Sequence, residues 1–113
     1  MLLYTAKRTS MTKQNLKKIE KRIQSLKCRL VELGDMRPGT LSVQYREPTK
    51  RMKPFNQISY TYKGKSRSEY VRPENLGPVR CELTAYKKFK TIVGEIIDLS
   101  IEGSRIRCNT RTR

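Results

Sequence analysis

Leu16, Ile19, Ile23, Leu26, Leu30 and Leu33 recur at alternating spacings of three and four. An α-helix, with 3.6 residues per turn, gathers such residues into one stripe. The spacing predicts an amphipathic helix over 12–33, with Thr12 as its N-cap and Gly34 as its C-terminal stop. A heptad stripe of this kind needs a partner helix to cover it. The remaining faces carry Lys17, Lys18, Lys21, Arg22, Lys27 and Arg29.

A second periodic segment can supply that partner. Val79, Leu83 and Tyr86, then Phe89, Ile92, Ile96, Leu99, Gly103 and Ile106, form two offset stripes. They predict a long helix over about 74–107 that either breaks or changes the face it buries between Tyr86 and Phe89. Pro73 or Pro78 suits its first position. Gly94 and Gly103 each weaken a helix by about 1 kcal/mol relative to Ala, yet leave room for a close neighbour.

The intervening chain has no helical period. Residues 34–54 read as loop, with turn chemistry at Arg37-Pro38-Gly39-Thr40. Leu41, Val43 and Tyr45 alternate in a short extended piece, and the basic, proline-bracketed stretch 46–54 is expected to be mobile. Residues 55–71 are expected to form a β-hairpin around Lys63-Gly64-Lys65. A two-residue Lys63-Gly64 loop would pair Tyr60 with Arg67. A three-residue loop Tyr62-Lys63-Gly64, closed by a bulge at Gly64, would pair Tyr60 with Ser66 and place Ile58, Tyr60 and Tyr70 on one core face. The second register is preferred for that apolar face.

The fold class that follows is α+β and helix-dominated: a long antiparallel helical pair, coiled-coil-like, with a β-hairpin module inserted between the helices. A single domain is expected over 12–107, between a flexible tail at 1–11 and a basic tail at 108–113. Two helices make a thin core, so a homodimer is compatible with the pattern.

Charge narrows the function. Lys and Arg number 26 against 10 Asp and Glu, a formal net charge of +16. Such a chain suits a polyanion, and nucleic acid is the obvious one. The absence of histidine removes Ser-His and Cys-His catalysis and His-ligated zinc. Cys28, Cys81 and Cys108 are too scattered for a zinc cluster and suit reduced thiols in a cytoplasm. No apolar run reaches the ~18–20 residues of a membrane span, and Met1-Leu2-Leu3-Tyr4 is short for a secretory signal. A cytoplasmic place, with the nucleoid if DNA is bound, is the expectation. Glu95, Asp98 and Glu102 share one helical side and could hold Mg²⁺, but nothing completes an active site, so they are read as balancing nearby cations. Neither catalysis nor a cofactor or metal is expected.

Three basic groups are candidates for contact with nucleic acid. Lys63, Lys65 and Arg67 surround the hairpin tip beside Tyr62, and could grip phosphates while a tyrosine stacks on a base. Lys50, Arg51 and Lys53 form a basic loop. Lys17, Lys21 and Arg22 lie on the first helix. Each has a plainer reading. Lysines at a hairpin deter edge pairing, basic loops are often only solvated, and paired helices carry exposed lysines routinely.

Several residue blocks occur in a characteristic order: Arg37-Pro38-Gly39-Thr40-Leu41-Ser42-Val43-Gln44-Tyr45, Pro54-Phe55-Asn56-Gln57-Ile58-Ser59-Tyr60-Thr61, Lys63-Gly64-Lys65-Ser66-Arg67, Tyr70-Val71, Asn75-Leu76, Val79-Arg80, Tyr86-Lys87-Lys88-Phe89 and Ile97-Asp98-Leu99-Ser100. Over about residues 12–107 this resembles an uncharacterised bacterial family of short proteins found in mobile-element settings, often near transposase genes. The family's members typically carry a Cys- and His-containing insert, a plausible zinc knuckle, between the Gln-Tyr and Pro-aromatic blocks. Here that interval is Arg46 to Lys53 and holds neither residue, so any such metal site is absent. The resemblance implies no catalytic role. It favours DNA slightly as the ligand, whereas tyrosines beside lysines on a strand also suit RNA. The alternative it leaves open is an adaptor or inhibitor whose helical pair docks on a transposase or on a host or defence protein.

Overall fold

A computed structural model of the chain describes residues 2–47 and 49–111, without the side chains of residues 2–12. The order of elements is α1 (Leu2–Glu32), β1 (Thr40–Glu47), β2 (Met52–Tyr62), β3 (Lys65–Val71), a 3₁₀ turn (Pro73–Asn75) and α2 (Leu76–Arg111). The fold is α+β and helix-rich, with a three-stranded antiparallel sheet between two helices in chain order. Two compact units form. A helical unit takes residues 1–32 and 90–113, and a sheet unit takes residues 33–89.

In the helical unit the stripe faces inward. Ile19 and Leu26 are buried, Leu16, Ile23 and Leu30 are half-buried, and Lys17, Lys18, Lys21, Arg22, Lys27 and Arg29 are exposed. From α2, Ile92 and Gly103 are buried while Ile96, Leu99 and Ile106 are half-buried. The segments run antiparallel. A methyl group on Gly103 would sit 3.5 Å from Ile19 Cγ2 and 3.7 Å from Leu16 Cδ1. Further along, Arg22 Nη2 lies 3.1 Å from Glu95 Oε1.

Helix α1 starts at Leu2, where a loose tail over 1–11 and a cap at Thr12 were expected. The segment Leu2-Leu3-Tyr4-Thr5-Ala6-Lys7-Arg8 has no Gly or Pro. Extending a nucleated helix gains one hydrogen bond for each residue fixed, so nothing stops it at Thr12. Helix α2 likewise continues past 107 to Arg111, into the expected basic tail.

The extended piece expected at Leu41, Val43 and Tyr45 is part of strand β1, and the stretch 46–54 expected to be mobile supplies the end of β1 and the start of β2. Strand β1 pairs antiparallel with β2, with Leu41 opposite Ile58 and Tyr45 opposite Pro54. A turn joins them, in which the Lys50 N–H donates to the Glu47 carbonyl at 3.2 Å and Arg51 takes φ 51°. Pro54 closes the stretch expected to be mobile, yet it is part of β2, beyond the reach of β3, whose pairing ends at Asn56. Pro54 therefore lies where β2 has one neighbour, and a missing N–H is tolerated there.

The β2–β3 register is the two-residue alternative. Tyr60 pairs with Arg67 and Ile58 with Glu69. Lys63 and Gly64 take φ 52° and 76°, the paired positive values of a type I′ turn. That turn matches the right-handed twist of its strands. The one-residue difference in register sends Tyr70 to the opposite face from Ile58, so its expected core role is overturned. Tyr70 is 56% exposed.

The core of the sheet unit is Ile58, Val71, Val79 and Leu83, with Leu41 and Leu76 packed against it. The first stripe of α2 thus covers one face of the sheet. Its second stripe, from Phe89, serves the helical unit, so the offset marks a change of buried face within one unbroken helix. The 3₁₀ turn opens on Pro73 after extended Arg72, and the Asn75 N–H donates to the Arg72 carbonyl at 2.9 Å. Among the described residues no helix is long and apolar enough to cross a membrane. No disulfide joins Cys28, Cys81 and Cys108.

Candidate nucleic-acid interface

Alternation of side chains divides the sheet into two faces. Ile58, Tyr60 and Tyr62 of β2 share one face with Leu41, Val43 and Tyr45 of β1 and with Lys65, Arg67, Glu69 and Val71 of β3. Helix α2 covers the Ile58 and Val71 end of it. The end at the β2–β3 turn stays open. There Tyr62 is 53% exposed, Lys63 Nζ stands 5.2 Å from the Tyr62 ring centroid, and Lys65 lies directly opposite Tyr62. Among the described residues no carboxylate comes within ion-pair distance of Lys63, Lys65 or Arg67.

Behind that patch sits a polar cluster. The Tyr60 hydroxyl donates to Glu69 Oε2, which also takes an Nη2 hydrogen bond from Arg37 at 3.4 Å. The Arg37 guanidinium is 5.4 Å from the Tyr60 ring centroid. The Tyr60 hydrogen bond, assisted by Arg37, holds the Glu69 carboxyl below the usual carboxylate range. The same hydrogen bond, with some desolvation and the Glu69 charge, raises the Tyr60 hydroxyl above its ordinary value. Glu69 thereby bonds Arg37 and Tyr60, and the charge of Arg67, on the same face of β3, adds a smaller pull on its carboxyl.

The other basic groups lie elsewhere. Lys50 and Arg51 occupy the β1–β2 turn, and Lys53 follows with φ 56° and its Nζ 3.6 Å from Glu47 Oε1. That turn is at the opposite end of β2 from Lys63. Ten residue steps at ~3.3 Å put the two turns roughly 33 Å apart, so they do not form one compact site. In the helical unit Lys17 and Lys21 are exposed, while Arg22 makes a forked contact with Glu95, Nε and Nη2 donating to Oε1 at 3.2 and 3.1 Å. Glu95 therefore already balances a cation, the structural part considered for it beside Mg²⁺ binding.

The face away from α2 holds residues that the sequence reading passed over. It presents Ser42 and Gln44 from β1, Phe55, Gln57, Ser59 and Thr61 from β2, and Ser66, Ser68 and Tyr70 from β3. The side chains confirm the pleat: Ser59 Oγ meets Ser68 Oγ at 3.4 Å, and Gln44 Nε2 donates to Ser42 Oγ at 3.1 Å. Phe55 and Tyr70 form a ring pair, centroids 6.3 Å apart and tilted by 52°. The Arg46 guanidinium lies 5.8 Å from the Phe55 ring centroid. A cation and two aromatic rings thus run diagonally across all three strands. The signal was the alternation Phe55, Gln57, Ser59, Thr61, which the preferred register had left without Tyr70.

No family model, curated protein or solved structure matches the chain.

Proposed function

We propose that the protein is a small, non-enzymatic nucleic-acid-binding protein that grips the sugar-phosphate backbone, DNA slightly before RNA, in a mobile-element or phage-like context. The observation that carries the reading is the β2–β3 turn. Its three cations, Lys63, Lys65 and Arg67, have no carboxylate in ion-pair range among the described residues, beside the exposed Tyr62 ring. The unit that holds this turn carries twelve Lys and Arg against five Asp and Glu, a net +7, so the patch is not cancelled by its surroundings. The mobile-element context rests on the residue blocks alone.

Replacing Lys63, Lys65 and Arg67 with serine tests it. These side chains take no part in the buried core, so the variant should keep its circular dichroism spectrum. If all three touch phosphate, the slope of log affinity against log salt falls by about 0.9 per contact on duplex DNA, or about 0.7 on a single strand. An unchanged slope would move the contact surface to Lys17 and Lys21.

The adaptor reading has one observation in its favour. Ile97 and Ile101, one turn apart on α2, are 52% and 48% exposed. A docking role for that face predicts normal partner recruitment by the triple-serine variant and its loss in Ile97→Glu.

A further inference from the structure

We infer that the sheet face turned away from α2 is a base-stacking platform for single-stranded nucleic acid, with Tyr70 and Phe55 as the stacking rings and Arg46 as their cation. The inference rests on the nucleic-acid reading above and names its substrate class. Three observations carry it.

The first is the placement of the aromatics. Tyr70 is more than half exposed and Phe55 is half-buried, while the core on the other face of the sheet is built of aliphatic side chains. Exposed rings on the wet face of a small sheet offer flat apolar area, and every base has a π-face to lay on it. The ring pair is tilted by 52°, so the two rings do not stack on each other and the Tyr70 ring keeps an open side.

The second is charge. The only carboxylates in the three strands are Glu47 and Glu69, and both belong to the face that carries Ile58. By the same alternation the open face holds Arg46 and, at its β1–β2 turn end, Lys53, whose Nζ reaches Glu47 Oε1 at 3.6 Å; its other polar groups are uncharged hydroxyls and amides. Such groups can pair with base edges, and no negative charge repels a phosphate there. Arg46 beside Phe55 can stack on a base or meet a phosphate.

The third is reach. A base can lie flat on an aromatic ring only when it is unstacked from its neighbours, and the bases of a regular duplex are stacked on one another. The platform therefore selects unpaired bases, whereas the basic turn would hold phosphate from either form.

The test uses the full-length protein and labelled 20-mers of oligo-dT, oligo-rU and duplex DNA, followed by fluorescence anisotropy. Tyr70→Ala should weaken binding to the single strands by roughly 5- to 150-fold, the range that loss of one stacked base predicts. Its salt slope and its duplex affinity should stay as in the wild type, and Tyr70→Phe, which keeps the ring, should restore single-strand binding. Aromatic proton shifts of the unmodified protein give an independent reading, and the Phe55 and Tyr70 resonances should move when oligo-dT or oligo-rU is added. Binding to only one of the two single strands would identify the sugar and still support the platform. Wild-type affinity in Tyr70→Ala, or still Phe55 and Tyr70 resonances, overturns the platform while leaving backbone binding at the turn intact. No binding to any 20-mer at low salt overturns both.

Discussion

Gly39 shows how much one missing side chain decides. Its φ is 140°, outside the range of L-residues, and a methyl group there would lie 2.8 Å from Cγ1 of Ile58, which is fully buried. Backbone strain and overpacking act together, so Gly39→Ala should cost about 2–4 kcal/mol in urea denaturation. Gly64 is the contrast. It also has positive φ, but a methyl group there meets nothing. Gly64→Asn should therefore be nearly neutral, while Gly64→Val should disrupt the hairpin because a branched side chain resists positive φ. At the same scale, Tyr60 and Glu69 predict a pH response. The Glu69 pKa is lowered by folding, so its contribution is present above the ordinary carboxylate range and is lost as pH falls through the lowered value. The Tyr60 pKa is raised, so its contribution is present below about 10 and is lost as pH rises further. A carbon-13 titration of the Glu69 carboxyl should show its pKa rising toward the ordinary value in Tyr60→Phe. No movement would mean that the hydrogen bond is not formed in solution.

Among the elements, helix α2 has two partners. Its first stripe covers the sheet and its second faces α1, which explains why the periodicity shifts by a fraction of a turn near Tyr86 without any break in the backbone. Gly94 lies in the second part, where a methyl group would meet nothing. Gly94→Ala should thus raise stability by about 1 kcal/mol, read as a higher midpoint in thermal unfolding. Leu26 is fully buried in α1. Leu26→Asp places an unpaired charge where no partner waits and should cost about 3–5 kcal/mol, with loss of helicity by circular dichroism. Lys18→Asp, at an exposed site on the same helix, should leave the spectrum unchanged. Equal behaviour of the two variants would show that the stripe is not the buried face.

For the whole molecule, charge is the property that every residue shares in. Both units are basic, the helical unit at fourteen Lys and Arg against five Asp and Glu, the sheet unit at twelve against five. If six to ten phosphates are covered, affinity should fall by roughly 10³–10⁵ between 50 and 200 mM salt. An isotherm that ignores salt would remove the electrostatic mechanism. The two basic turns lie roughly 33 Å apart along β2, the length of about ten base pairs. A duplex much shorter than that can engage one turn only, so serine at Lys50 and Arg51 should weaken binding to an 18-mer duplex but not to a 6-mer.

Local pattern alone determined the striped parts of both helices, the offset in α2, the presence of a hairpin around Lys63-Gly64 and the excess of positive charge. Each depends on residues a few positions apart or on a simple count, and the stripe from Leu16 to Leu30 does lie inward as its spacing implies. Tertiary structure decided the rest. Strand β1 is stable only because β2 pairs with it, a contact between residues such as Leu41 and Ile58 that no local pattern reports. The hairpin register was open by one residue in the sequence, since Tyr60, Tyr62 and Tyr70 can be gathered in two ways. The type I′ geometry of Lys63 and Gly64 chose between them, and with it the face that Tyr70 occupies. Because successive side chains on a strand point to opposite faces, that single step moved an expected core aromatic to the open surface. There it meets Phe55 and Arg46 in an arrangement that three separate strands must be assembled to create.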